Sequence, residues 1–133
     1  MSKEIHVRYG WLKFMYIYTI IGAGGAGLGM ILRPSLMISL FRMPLQDTIM
    51  FGIGGSVFLA LALLSILGLR SPLKFAPVLL VELVYKSIWL IGVIVPLWLI
   101  GPLPFHGIMF VIIFASFIIG DLIAIPFAYV FAK

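Results

Sequence analysis

Apolar positions in this chain run together in long blocks, and polar positions collect between the blocks. The first block extends from about Trp11 to Leu32, between a basic head (Lys3, Arg8, Lys13) and Arg33-Pro34. A second, about 48–69, carries no charge and stops at Arg70-Ser71-Pro72, where proline and the basic residue mark a tight turn. From Ser87 to Gly120 the chain is free of charge for 34 residues. A span needs about 20 residues at 1.5 Å each, so this run is too long for one crossing. The cluster Gly101-Pro102-Leu103-Pro104-Phe105 must turn the chain and divide the run into helices over about 75–100 and 106–132. The linker 34–47 is too short to span. In it Leu36, Met37, Leu40 and Phe41 recur at helical spacing while Ser35, Ser39 and Arg42 fall between them, which predicts a short helix lying in the interface. The pattern predicts an all-α integral membrane four-helix bundle, one transmembrane domain over residues 1–133.

Composition agrees with that reading. The chain is 64% hydrophobic and 10% charged with a mean hydropathy of +1.29, against about a quarter charged in soluble domains. The net charge of +5 would suggest nucleic acid if the charges formed a patch, but they sit mostly at helix ends and expected partners are lipids, not nucleic acid. An even number of crossings puts Lys3, Arg8, Lys13, Arg70, Lys74 and Lys133 on one side and Arg33 and Arg42 on the other. Six against two predicts both termini in the cytoplasm. The basic start and the small-residue run Gly22 to Gly27 imitate a signal peptide. With Met1 at its head, the segment is expected to be retained as the first helix. Zero cysteines exclude disulfides, thiolate metal sites and cysteine catalysis. His6 and His106 fall on opposite sides, so the two cannot ligate one centre within the chain, and no nucleotide, hydrolase or metalloprotease motif occurs. No metal, cofactor or catalytic residue is assigned.

Three ionisable residues stand inside apolar blocks: Glu82, Lys86 and Asp121. Lys86 follows Lys74 by twelve residues and Asp121 precedes Lys133 by twelve, so both lie about 18 Å from the same face. Glu82 is one turn nearer that face on the side of the helix that bears Lys86, in the favourable acid-before-base order. Two acids and one base sum to −1 where a lone charge is costly, so a proton, a cation or a cationic ligand is expected to complete the group. Tyr85 follows Glu82 by three residues and Trp89 follows Lys86 by three, so both lie close to the charged face, and Ser87 and Ser116 are further candidate hydrogen-bonding partners. Three readings remain open: a structural clamp between helices, a ligand- or ion-binding site, or an acid and base acting on a lipid-soluble substrate.

Small residues form a second pattern. Gly22-x-x-x-Ala26, Gly25-x-x-x-Gly29 and Gly52-x-x-x-Ser56-x-x-x-Ala60 predict close packing of the first two crossings through Gly22, Gly25, Gly29, Gly52 and Ser56. Pro77 suits a first helical turn, while Pro96 and Pro126 are expected to bend their helices.

The run Phe51-Gly-Ile-Gly-Gly-Ser-Val-Phe-Leu-Ala-Leu-Ala-Leu-Leu and the turn Arg70-Ser-Pro-Leu-Lys74, within a four-helix chain of this length, resemble the DoxX-like small bacterial membrane proteins over roughly residues 44 to 100. That resemblance implies a bacterial inner-membrane protein acting as an accessory subunit. The first expectation is thus a non-enzymatic accessory or scaffold subunit, self-associating or joined to a larger membrane complex. The alternatives are a proton- or cation-coupled carrier of a small hydrophobic or cationic ligand, and an enzyme on a lipid-soluble substrate.

Overall fold

The computed structural model describes residues 6–133 and is all-helical there; Lys3 of the basic head lies outside the described residues. Among the described residues, four helical stretches are long and apolar enough to cross a membrane: Tyr9–Leu32, Thr48–Arg70, Ala76–Ile100 and Phe105–Ala124. The first is α1, and the linker after it forms α2 (Pro34–Phe41). Thr48–Arg70 is α3, and the third crossing consists of α4 (Ala76–Trp89), a π-helical turn (Leu90–Ile94) and α5 (Val95–Ile100). The fourth is α6 (Phe105–Ala124), followed by the single turn α7 (Phe127–Val130).

Helix α1 is the hub, with contacts to α2, α3, α4 and α6. Its approach to α3 rests on missing side chains. A Cβ on Gly27 would stand 2.6 Å from the Gly55 carbonyl oxygen and 2.7 Å from the Leu59 amide nitrogen, and one on Gly24 would meet Ala62. Backbone cannot yield as a flexible side chain can, so glycine at 27 is what lets the helices touch. The contact stripe is rotated from the expected one. Gly25 and Gly52 face open space, Ser56 is exposed, Gly22 meets the Phe117 ring, and Gly29 meets Met37 of α2.

Polar contacts tie the two ends of the bundle. The Tyr16 hydroxyl donates to the Pro72 carbonyl at 2.6 Å and Arg8 to the Ile123 carbonyl at 3.0 Å. The start of α1, the α3–α4 turn and the end of α6 therefore share one end. At the other, the Arg42 guanidinium lies 4.4 Å from the centre of the Phe105 ring and Phe41 stacks on Phe110 at 4.9 Å. Arg42 terminates α2 in the left-handed conformation, φ 53°, uncommon for a residue with a Cβ.

Prolines explain the irregular helices. Pro77 occupies the first turn of α4, where its missing N–H has no intrahelical partner to lose. Pro96 would collide with the carbonyl four residues back. The chain widens into the π turn just before it, and the Val95 amide reaches the Leu90 carbonyl five residues away. The expected fourth crossing, about 106–132, ends earlier. Pro126 has no N–H to continue the ladder and pushes Ile125 into an extended conformation (φ −67°, ψ 124°), so α6 stops at Ala124.

Much of the outer surface is bare aliphatic side chain, for example Ile21 at 71% and Leu99 at 80% exposed. Such a surface belongs in hydrocarbon.

Candidate functional site

Tight packing makes the centre of the bundle. Leu12, Met15, Tyr16 and Leu79 are almost wholly enclosed, with Phe117, Ala124 and Ile125 beside them. Gly120 leaves room for the Met15 side chain, which a Cβ there would strike. Glu82, Lys86 and Asp121 are buried beside this core at 0%, 2% and 0% exposure. Helix α4 places the first two on one face, i and i+4, and packs against α6, which supplies the third.

Lys86 Nζ lies 3.7 Å from Glu82 Oε2, an ion pair longer than a hydrogen bond. The ammonium sits over the Phe117 ring at 3.8 Å and near the Tyr85 and Phe114 rings at 4.9 and 5.2 Å. An aromatic cage of this kind holds a cation by the negative faces of the rings. Thr19 of α1, Lys86 and Asp121 all face the Glu82 carboxyl within interaction range. None of the four carboxyl oxygens of Glu82 and Asp121 receives a well-aligned hydrogen bond. The one hydrogen of the Thr19 hydroxyl goes to the Met15 carbonyl at 2.8 Å, so the hydroxyl can accept from Glu82 but has nothing to donate. A proton held between the two carboxyls would supply the missing donor and bring the group from −1 to neutral. A finished structural clamp would satisfy its buried oxygens. One shared proton would engage two of the four oxygens.

A cavity of about 480 Å³ reaches Lys86 from the side of α1, α2 and α6. It is walled by aromatic and aliphatic groups, with Gly22 and Gly25 of α1 and Met37, Leu40 and Phe41 of α2 among its lining. A second space of about 300 Å³ shares Phe58, Tyr85, Phe110 and Phe114 with it. Both fall near the range of ligand pockets, roughly 300–1,000 Å³.

Of the residues singled out in the sequence, Glu82, Lys86 and Asp121 come together and Tyr85 joins them. Trp89 instead stands edge-on to Phe114 at 4.9 Å and lines the smaller space. Ser87 lies in an outward groove with Leu83 and Ile88. Ser116 is exposed and bonds to the Tyr18 hydroxyl at 2.7 Å. His6 precedes α1 and His106 stands in the first turn of α6, at opposite ends of the bundle. Among the described residues no group of three or more His, Cys, Asp and Glu could hold a metal ion. Sequence reasoning missed Thr19, Phe114 and Phe117. The phenylalanines had a readable signal, standing four and seven residues before Asp121 on its own helix face.

Fold and site together define a small helical protein with four potential membrane spans, a buried charged centre and an adjoining apolar cavity. No family model, curated protein or solved structure matches the chain.

Proposed function

We propose that the protein is a small membrane carrier that binds a lipid-soluble molecule in the cavity beside Lys86 and couples its binding to a proton or cation at Glu82 and Asp121. The observation that carries this reading is the pair of fully buried carboxyls whose oxygens lack donors, set behind a lysine that opens onto an apolar cavity. Ionisable groups are kept inside a membrane at a cost, and proton relays and ion pathways are their usual purpose. The spans lie in a bacterial inner membrane with both termini in the cytoplasm, in accord with the distribution of Lys and Arg.

The test is purification into nanodiscs and native mass spectrometry of wild type and Asp121→Asn, with infrared difference spectra between acid and neutral pH. The expected outcome is a retained small molecule on the wild type and a pH-dependent carboxyl band that disappears in Asp121→Asn. If nothing is retained, and Glu82→Gln, Lys86→Met and Asp121→Asn change only thermal stability, the carrier reading fails.

A second reading, the accessory or scaffold subunit that the DoxX-like resemblance implies, is favoured by one feature of α3. Its strip Gly52, Ser56 and Ala60 borders an open groove, and a Cβ on Gly52 would meet nothing. Small residues on such a face suit contact with another helix, from a second copy or a larger complex. The same mass spectra separate the readings, because a scaffold would be seen with its protein partner and no small molecule.

A further inference from the structure

Resting on the ligand-binding reading above, we infer that the occupant of the larger cavity is an uncharged, lipid-soluble molecule with a flat unsaturated body and an acceptor oxygen of the carbonyl type, which Lys86 and Tyr85 hydrogen-bond. Three observations carry the assignment. First, seven of the sixteen residues that line the cavity are aromatic, and ring faces and edges pack best against a flat partner.

Second, the order of the charges matters. Lys86 is the only acidic or basic side chain among the described residues lining the cavity, while Glu82 and Asp121 are fully enclosed behind it. A cation entering the cavity would therefore meet an ammonium before it met a carboxylate. Its place in the aromatic cage is already taken, because Nζ stands 3.8 Å above the Phe117 ring. An anion would be drawn to Lys86, yet that ammonium is already paired with Glu82 at 3.7 Å and the anion would stand beside two fully buried carboxyls. An uncharged acceptor avoids both costs. The cationic ligand suggested by the sum of the charges is thus disfavoured by their arrangement.

Third, donors are left over. The Lys86 ammonium has three N–H groups and its ion pair to Glu82, at 3.7 Å, is too long to be a hydrogen bond. The buried Tyr85 hydroxyl has no partner at all. Buried donors without acceptors are costly in an apolar setting, and an acceptor oxygen on the ligand would satisfy both residues at once. Tyr85 also separates the two spaces, as a wall residue of each.

The probe for the test is benzophenone, an uncharged ketone with two aromatic rings that inserts into nearby C–H bonds on illumination. The full chain in nanodiscs is illuminated over a range of benzophenone concentrations and the adducts are mapped by peptide mass spectrometry. Diphenylmethane, which lacks the oxygen, and tetraphenylphosphonium, a lipophilic cation, serve as competitors. The expected result is saturable labelling at Met37 or Leu40 that diphenylmethane displaces poorly and tetraphenylphosphonium does not displace. Tyr85→Phe keeps the ring and the packing, and should weaken the labelling about fivefold, the weight of one hydrogen bond. Lys86→Met should weaken it at least as much. Equal competition by diphenylmethane, or unchanged labelling in Tyr85→Phe, overturns the acceptor assignment while leaving a ligand site in place. Stronger competition by tetraphenylphosphonium overturns it in favour of a cation. Absence of any saturable adduct in the cavity overturns both this assignment and the ligand-binding reading beneath it.

Discussion

At the scale of single residues, the charged centre makes its members unequal. Replacing Asp121 with Asn leaves the neutral pair Glu82 and Lys86 and adds an amide that can donate to a carboxyl oxygen now without a partner. Asp121→Asn is therefore expected to hold or raise the thermal midpoint in detergent while ending any proton-coupled activity. Lys86→Met removes the cation paired with Glu82 beside two buried carboxyls. Its cost should fall between about 1.7 kcal/mol, the upper end for polar contacts between membrane helices, and the roughly 3–5 kcal/mol of breaking a buried ion pair. The double variant Glu82→Gln with Lys86→Met removes one charge of each sign and should regain most of that loss in the same melting experiment. A double variant no more stable than Lys86→Met alone would mean that charge balance is not what the site requires. Glycines give a second contrast. Gly27→Ala drives a methyl into the α3 backbone and is expected to cost about 1–3 kcal/mol, whereas Gly25→Ala meets open space and should be neutral or mildly stabilising. The trio was legible because charges stand out in apolar blocks, and the i, i+4 spacing fixed two of them on one face. Of the aromatic cage, Tyr85 was singled out, while Phe114 and Phe117 carried only their spacing from Asp121 to set them apart from the other phenylalanines. The glycine contact shifted to Gly24, Gly27 and Gly55 because small-residue spacing does not determine how far a helix is rotated about its axis.

Elements begin and end here for reasons that a few residues carry. Asp47 caps α3, its carboxyl accepting the Met50 amide at 3.0 Å. Asp47→Ala should cost about 1 kcal/mol, read as faster hydrogen exchange at residues 48–51 with the rest of α3 unchanged. Pro126 sets the end of α6 just one turn beyond Asp121, whose carbonyl accepts the Ile125 amide at 2.9 Å. Pro126→Ala restores an N–H and frees Ile125 from its extended conformation, so α6 is expected to run on into α7. Slower exchange at residues 126–130 would show it, and exchange like that of the wild type would mean that packing, not proline, ends the helix. Blocks of apolar residues made the crossings easy to read. The consequences of the prolines were harder, since the same residue type starts α4, stands in the first turn of α5 behind a π turn and terminates α6. Which of these occurs depends on the backbone already in place around the ring, and composition does not record it.

At the scale of the whole molecule, the orientation predicted from Lys and Arg can be set beside the way the ends are joined. Tyr16 holds the α3–α4 turn and Arg8 holds the end of α6, so Arg8, Lys13, Arg70 and Lys74 gather at one end, while Arg33 and Arg42 flank α2 at the other. Lys133 lies beyond α7, nine residues after α6 ends, and adds to the first end. A bundle with this asymmetry should insert one way, with its basic end in the cytoplasm. The chain contains no cysteine, so single cysteines report without background. Ser39→Cys lies in exposed α2 and Ser71→Cys in the α3–α4 turn. A membrane-impermeant maleimide added to intact cells is expected to label Ser39→Cys at once and to reach Ser71→Cys only after the membrane is opened. The reverse pattern would put Lys86 and the cavity under α2 on the cytoplasmic side, and would invert the direction from which a proton enters the centre. Labelling of both positions in intact cells would mean that the chain inserts in both orientations. An oriented proton-coupled carrier could then not work as a single chain, and antiparallel pairing through the open Gly52, Ser56 and Ala60 strip would become the required arrangement.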